Sequence, residues 1–238
     1  MSFFSLSEKF NFLILRLNKN KKFFLKDYEI GINLGSEDNT IKEYAGIDGS
    51  FLIYLGRSHL PNFLKKIIYN KSCTADHRSF SQFLKSIKEK RIIHHNLSYG
   101  IPFHSNSIGH IYTSHFIEHL NGNDAVKLLR ECYRCLKKGG ILRIVVPPIE
   151  NEIERMREST KKYEQNKDSK PIQEFIAFAE KNRNHFSFHR RMYSYKDLEK
   201  ILQNTGFKKI FKRKFKEGNM PKTKEIEVRD GLIIEAIK

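Results

Sequence analysis

The chain has 238 residues, of which 39% are hydrophobic and 30% charged, and its formal net charge is +17. That length can bury a domain-sized core, and a composition without low-complexity tracts excludes a disordered protein. Cys73, Cys132 and Cys135 are too few for a disulfide framework, and no apolar run approaches the roughly 20 residues of a membrane span; a cytoplasmic protein with an anionic partner is expected.

Residues 1–28 form a basic amphipathic segment. Leu6, Phe10, Leu13, Ile14 and Leu17 recur at helical spacing among Lys9, Arg16, Lys19, Lys21 and Lys22, which predicts a helix seated on the domain by that stripe. Residues 1–25 also suit peripheral contact with an anionic membrane surface. The start of the chain lacks the long apolar core of an export signal, so export is not expected.

Tyr28 to Leu34 reads as a first strand, Gly35-Ser36-Glu37 as the turn after it, and Ile47-Asp48-Gly49 as the end of a short second strand. The intervening chain is too short for a crossover helix, so a loop or single turn is expected. Residues 51–90 read as a helical insertion, with helices over 51–69 and 79–90 and Pro61 dividing the first. Arg91 to His95 is a third strand, with His94-His95 packing at its end. Ile101-Pro102-Phe103 turns into a fourth strand, Gly109 to Thr113, which exits into the polar elbow Ser114 to His119.

Asp124 is the expected N-cap of an amphipathic helix with Ala125, Leu128, Leu129, Cys132 and Leu136 inward and Gly139 as its stop. Ile141 to Val146 is a continuous apolar run, as a parallel strand covered on both faces requires. Helices are expected over 150–170 and 172–179. Ser194 to Asp197 opens a further helix that closes at Gly206, and residues 207–212 and 232–237 are the last two strands.

The run from His94 to Pro148 resembles the core of class I S-adenosylmethionine-dependent methyltransferases, and most of all a bacterial group found beside surface-sugar genes. The likeness rests on Asn96-Leu97, Ile101-Pro102-Phe103, Ile111-Tyr112, Ser114-His115, Glu118-His119-Leu120, Glu131 to Arg134, Leu136-Lys137, Gly139-Gly140 and Leu142 to Pro147. It extends more thinly over residues 29–238, the implied methyltransferase domain. It implies an α/β fold: a doubly wound, mostly parallel seven-stranded Rossmann-like sheet whose last strand is antiparallel.

The resemblance also implies S-adenosyl-L-methionine as cofactor. The positions that match the family's cofactor site are Asn33, Gly35, Ser36 and Glu37 at the first loop, Asp48 and Gly49 at the ribose, Asn96 and Leu97 at the adenine, and Ser114. His115 is placed as general base, with Glu118 to orient it. His189, Arg190, Arg191 and Tyr193 fall where the family builds its acceptor side, and arginine suits an anionic acceptor. The expected reaction is methyl transfer to an oxygen or nitrogen of a small molecule or glycan.

Glu37, Asn96, His110 and Pro148 stand where the family usually has Gly, Asp, Asp and Asp. These departures keep open a binding or scaffold protein that has lost catalysis, and the charge keeps open a nucleic-acid methyltransferase, although no RNA-binding module is recognisable. His115 to His119 also spells H-x-x-E-H, but that zinc chemistry needs a continuous helix, and this elbow lies at a strand exit. Cys132-x-x-Cys135 lies inside a helix without a second ligand pair. No metal is therefore expected.

Overall fold

The computed structural model describes residues 3–72, 79–167, 169–170, 172–173 and 189–238. Its sheet contains β1 (Gly31–Leu34), β2 (Tyr44–Asp48), β3 (Ile92–His94), β4 (Ile108–Ser114), β5 (Leu136–Val146), β6 (Lys209–Arg213) and β7 (Leu232–Ile237). The order is β3-β2-β1-β4-β5-β7-β6. Strands β3 to β5 are parallel, and β7 runs antiparallel between β5 and β6. This is the expected Rossmann-like sheet. Its order reverses at β1, where the chain leaves in opposite directions to β2 and β4 and opens a crevice beyond the strands' carboxyl ends.

The helices are α1 (Phe3–Leu17), α2 (Phe51–Arg57), α3 (Asn62–Ser72), α4 (Phe80–Glu89), α5 (Gly122–Cys135), α6 (Ile149–Asn166), α7 (Tyr195–Thr205) and the single turn α8 (Thr223–Ile226). As expected, no helix joins β1 to β2, and α2 to α4 fill the insertion between β2 and β3. There Ile53, Tyr69, Phe83 and Ile87 make a small core against Ile92 of β3. None of the described helices is long and apolar enough to cross a membrane.

The two faces of the sheet are covered differently. Ile32, Leu34, Ile47, Ile111, Leu142 and Ile144 pack on one face with Leu128, Leu129 and Cys132 of α5 and Leu198 and Leu202 of α7. On the other, Tyr44, Tyr112, Val145 and Ile233 meet Met220 and Ile226, which belong to the excursion between β6 and β7. Arg143 of β5 is fully buried under that excursion. Its guanidinium donates to both carboxylate oxygens of Glu227, each at 2.9 Å, and to Glu235 at 2.8 Å. It also donates to the Glu217 carbonyl at 2.8 Å.

Three local expectations are corrected. Asn121, not Asp124, caps α5, because its side chain accepts the Asp124 N–H at 2.9 Å. The helix ends at Cys135 rather than Gly139; Lys238 closes over that end, its ammonium donating to the carbonyls of Tyr133 and Leu136. Gly139 instead lies in the first part of β5, with φ +78°. On α1 the seated face carries Asn11 and Leu15, leaving Leu13 and Leu17 54% and 77% exposed. Asn11 donates to the Gly49 carbonyl and bonds His94, each at 2.9 Å, so polar anchoring outweighs the apolar stripe.

Other local readings hold. The Ser194 capping box opens α7, and Gly206 ends it in a left-handed conformation. His94 and His95 pack at the end of β3, and burial pushes the His94 imidazole down to about 4. Cys132 and Cys135 are buried free thiols, both pushed up by desolvation. Cys73, His185 and the expected helix beyond residue 173 lie outside the described residues.

Candidate functional site

The crevice at the order reversal is built by three strand ends. After Leu34 the backbone turns left-handed at Gly35 (φ 63°) and again at Glu37 (φ 47°). That conformation points the Glu37 N–H at the Asp48 carboxylate, which accepts it at 2.9 Å, and the other carboxylate oxygen accepts the Ser50 N–H at 2.7 Å. Asp48 therefore ties the first loop to the end of β2. Burial pushes its pKa up, and the two backbone donors oppose that shift. Asn33 lies one residue before Leu34, so its side chain faces the opposite side of the sheet, where it donates to the Asn39 carbonyl at 2.9 Å and closes the loop.

Gly35, Asp48, Gly49, Asn96 and Leu97 line one cavity of about 360 Å³, together with Ser50, His95, Phe116, Leu120 and Leu15 of α1. That volume is within the ~300–1,000 Å³ of small-molecule sites. Asn33, Gly35, Ser36, Glu37 and Ser114 line a smaller hollow with Tyr112, His115 and Arg229. The two share Gly35, whose missing side chain makes room for the Phe116 ring. All nine positions matched to a cofactor site thus fall in these adjoining hollows.

The donor set fits an adenosine ligand. A carboxylate has about four lone-pair sites, so Asp48 retains capacity for a ribose diol beyond its two backbone bonds. The Asn96 side-chain oxygen already accepts the Ser98 N–H at 2.9 Å, and its second lone pair can take an adenine amino group. The Glu37 side chain is exposed rather than filling the large cavity, so the residue replacing the usual glycine does not block it.

The two residues expected to act in catalysis, His115 and Glu118, lie just beyond the end of β4. His115 adopts φ 49°, while its N–H is held by the Val145 carbonyl at 2.9 Å. A one-turn 3-10 helix, Ile117–His119, then carries Glu118 inward. His115 Nδ1 lies 3.6 Å from the Glu118 carboxylate, a contact longer than a hydrogen bond. Burial pushes His115 down to about 4, with Arg229 adding to the effect, and pushes Glu118 up to about 7. Glu118 is 1% exposed, and among the described residues neither of its carboxylate oxygens has a hydrogen-bond partner. Buried polar groups in that condition are uncommon and call for a physical explanation.

Of the residues expected on the acceptor side, Arg190 and Arg191 bond Glu118 and His189 lies beside His119. The backbone N–H groups of Arg190 and Arg191 both donate to the Glu118 carbonyl, at 2.8 and 3.1 Å, and their side chains are exposed. The His189 ring centroid stands 5.1 Å from that of His119. Tyr193 is different: its ring is buried in the core beneath the Arg191 guanidinium, and among the described residues its hydroxyl has no hydrogen-bond partner.

Sequence reasoning missed Phe116, Arg229 and Leu15 as lining residues. The alternation of β4 could have flagged Tyr112, which faces the same side as Asn33. Arg229 arrives on the β6–β7 excursion, which has no periodic pattern to place it.

Residues 68–144 match a family model described as a methyltransferase domain. No curated protein sequence matches the chain. Among solved structures, the chain is similar to a SAM-dependent methyltransferase from Thermotoga maritima, with 16% identity over 99% of this chain and 96% of that one and a TM-score of 0.45. It is also similar to a SAM-dependent methyltransferase from Archaeoglobus fulgidus, with 14% identity over 98% and 94% of the two chains and a TM-score of 0.47.

Proposed function

We propose that this chain, whose residues 68–144 match a methyltransferase-domain model, binds S-adenosylmethionine and methylates an oxygen or nitrogen of an anionic small molecule or glycan bound beside His115. The observation that supports this reading is the meeting of Gly35, Asp48, Gly49, Asn96 and Leu97, from three separate strand ends, around one cavity in the crevice.

Asp48 would receive the ribose hydroxyls and Asn96 the adenine edge. Leu97, Leu128 and Phe116 supply apolar walls. When bound, the cofactor supplies an electrophilic methyl group: the acceptor's lone pair forms the new bond to carbon, and the carbon–sulfur electrons leave on sulfur. The main task of the chain is then alignment. His115, which lines the smaller hollow, is the group that takes the acceptor's proton in this reading. Arg190, Arg191 and Arg229 expose positive charge around that end of β4 and suit a phosphate or carboxylate on the acceptor.

Transfer of label from methyl-labelled S-adenosylmethionine to fractionated acceptors tests this reading. Label is expected in anionic small molecules or glycans, and uptake should fall as salt screens the arginines. Label confined to RNA, or absent from every fraction, contradicts it.

A further inference from the structure

We infer that Glu118, His119 and His189 form a binding site for a divalent transition-metal ion at the acceptor end of the crevice. One ligand atom from each, a carboxylate oxygen and two imidazole nitrogens, all lie within 4.8 Å of one another. The second observation is independent of that clustering. The Glu118 carboxylate is 1% exposed, and among the described residues both its oxygens lack hydrogen-bond partners. An unpaired carboxylate at such depth is costly, and a cation beside it removes the cost.

The local chain explains the convergence. The left-handed turn at His115 and the single 3-10 turn after it place Glu118 and His119 side by side. The N–H groups of Arg190 and Arg191, bonded to the Glu118 carbonyl, hold the segment that brings His189 across to them. The same letters that spell H-x-x-E-H thus act in another way. His115 is not among the three, His189 comes from elsewhere in the chain, and Glu118 is a ligand rather than a base.

Two imidazoles and one carboxylate suit zinc, iron or nickel rather than magnesium or calcium, which prefer all-oxygen sites. Ligand atoms about 2.0–2.2 Å from zinc sit roughly 3.4 Å apart in a tetrahedron, so the three need close by little more than an ångström. Three protein ligands leave a position open, as in catalytic rather than structural zinc sites. We assign that position to an oxygen of the acceptor, which the ion would polarise and help to deprotonate; this assignment rests on the acceptor lying beside His115.

The test uses untagged full-length protein, stripped with chelator and titrated with zinc, with cobalt as the spectroscopic probe. One equivalent is expected to bind, with the visible absorption of a low-coordinate cobalt site. Glu118→Gln and His189→Ala are each expected to weaken zinc binding by roughly 100-fold, while S-adenosylhomocysteine binds the variants as it binds the parent. Absence of a bound equivalent at micromolar zinc, or equal affinity in the variants, overturns the site. If the stripped protein binds S-adenosylhomocysteine and transfers methyl groups without metal, the assignment of the ion to the acceptor oxygen fails and the methyl-transfer reading stands. If zinc binds but S-adenosylhomocysteine does not, the site stands and the methyl-transfer reading fails.

Discussion

Arg143→Ala is expected to destabilise the protein by about 3–5 kcal/mol, the usual cost of removing one partner from a buried ion pair. Arg143 is fully buried and donates to Glu227 and Glu235, both also buried. Without it, Glu227 loses both side-chain donors to its carboxylate. Glu235 keeps Arg213 at 2.8 Å and the N–H groups of Asn219 and Met220, so the larger share of the loss falls on Glu227. The excursion between β6 and β7 takes the place of a helical layer here, and these charges fasten it. Arg143→Met combined with Glu227→Gln should cost less than the sum of the two single changes, because no unpaired carboxylate remains at Glu227. Urea denaturation of the parent, Arg143→Ala, Arg143→Met, Glu227→Gln and the double variant measures this. A loss below about 1 kcal/mol for Arg143→Ala would show that the network carries little.

His115→Asn is expected to lower kcat by about 10²–10⁴-fold, the range for loss of a general base, and to leave S-adenosylhomocysteine affinity within about threefold. Asparagine is the informative replacement because His115 sits at φ 49°, a conformation that asparagine tolerates better than alanine does. The imidazole stands at the exit of β4, 3.6 Å from the Glu118 carboxylate, and lines the hollow with Arg229. Single-turnover assays on the acceptor found by label transfer separate chemistry from binding. An unchanged kcat removes His115 from the reaction, whereas a matching loss of cofactor affinity would give it a role in binding.

The strands were legible because their residues carry the signal locally. The apolar run Ile141 to Val146 can only be a covered parallel strand, and the short distance from Gly35 to Asp48 ruled out a crossover helix. What failed depended on partners far along the chain. The stripe on α1 pointed to Leu13 and Leu17, yet Asn11 finds Gly49 and His94 from 38 and 83 residues away and turns the helix. Likewise Asp124 is a plausible cap until Asn121 is seen to reach its N–H.

At the site, the positions that meet in the two adjoining hollows were legible through the family resemblance, which matched their order and most of their residue types. Phe116 was not, because its ring occupies the space that Gly35 leaves and sequence says nothing of that pairing. The grouping of Glu118, His119 and His189 was equally hidden, since its third member lies some 70 residues beyond the other two.

A crystal structure of the protein with S-adenosylhomocysteine is the most direct test of the central claim. The account predicts the nucleoside in the cavity between the ends of β1, β2 and β3, ribose hydroxyls on the Asp48 carboxylate, adenine between Leu97 and Phe116, and sulfur near Gly35 facing His115. A nucleoside bound elsewhere, or a cavity left empty at saturating ligand with Phe116 still over Gly35, would contradict it.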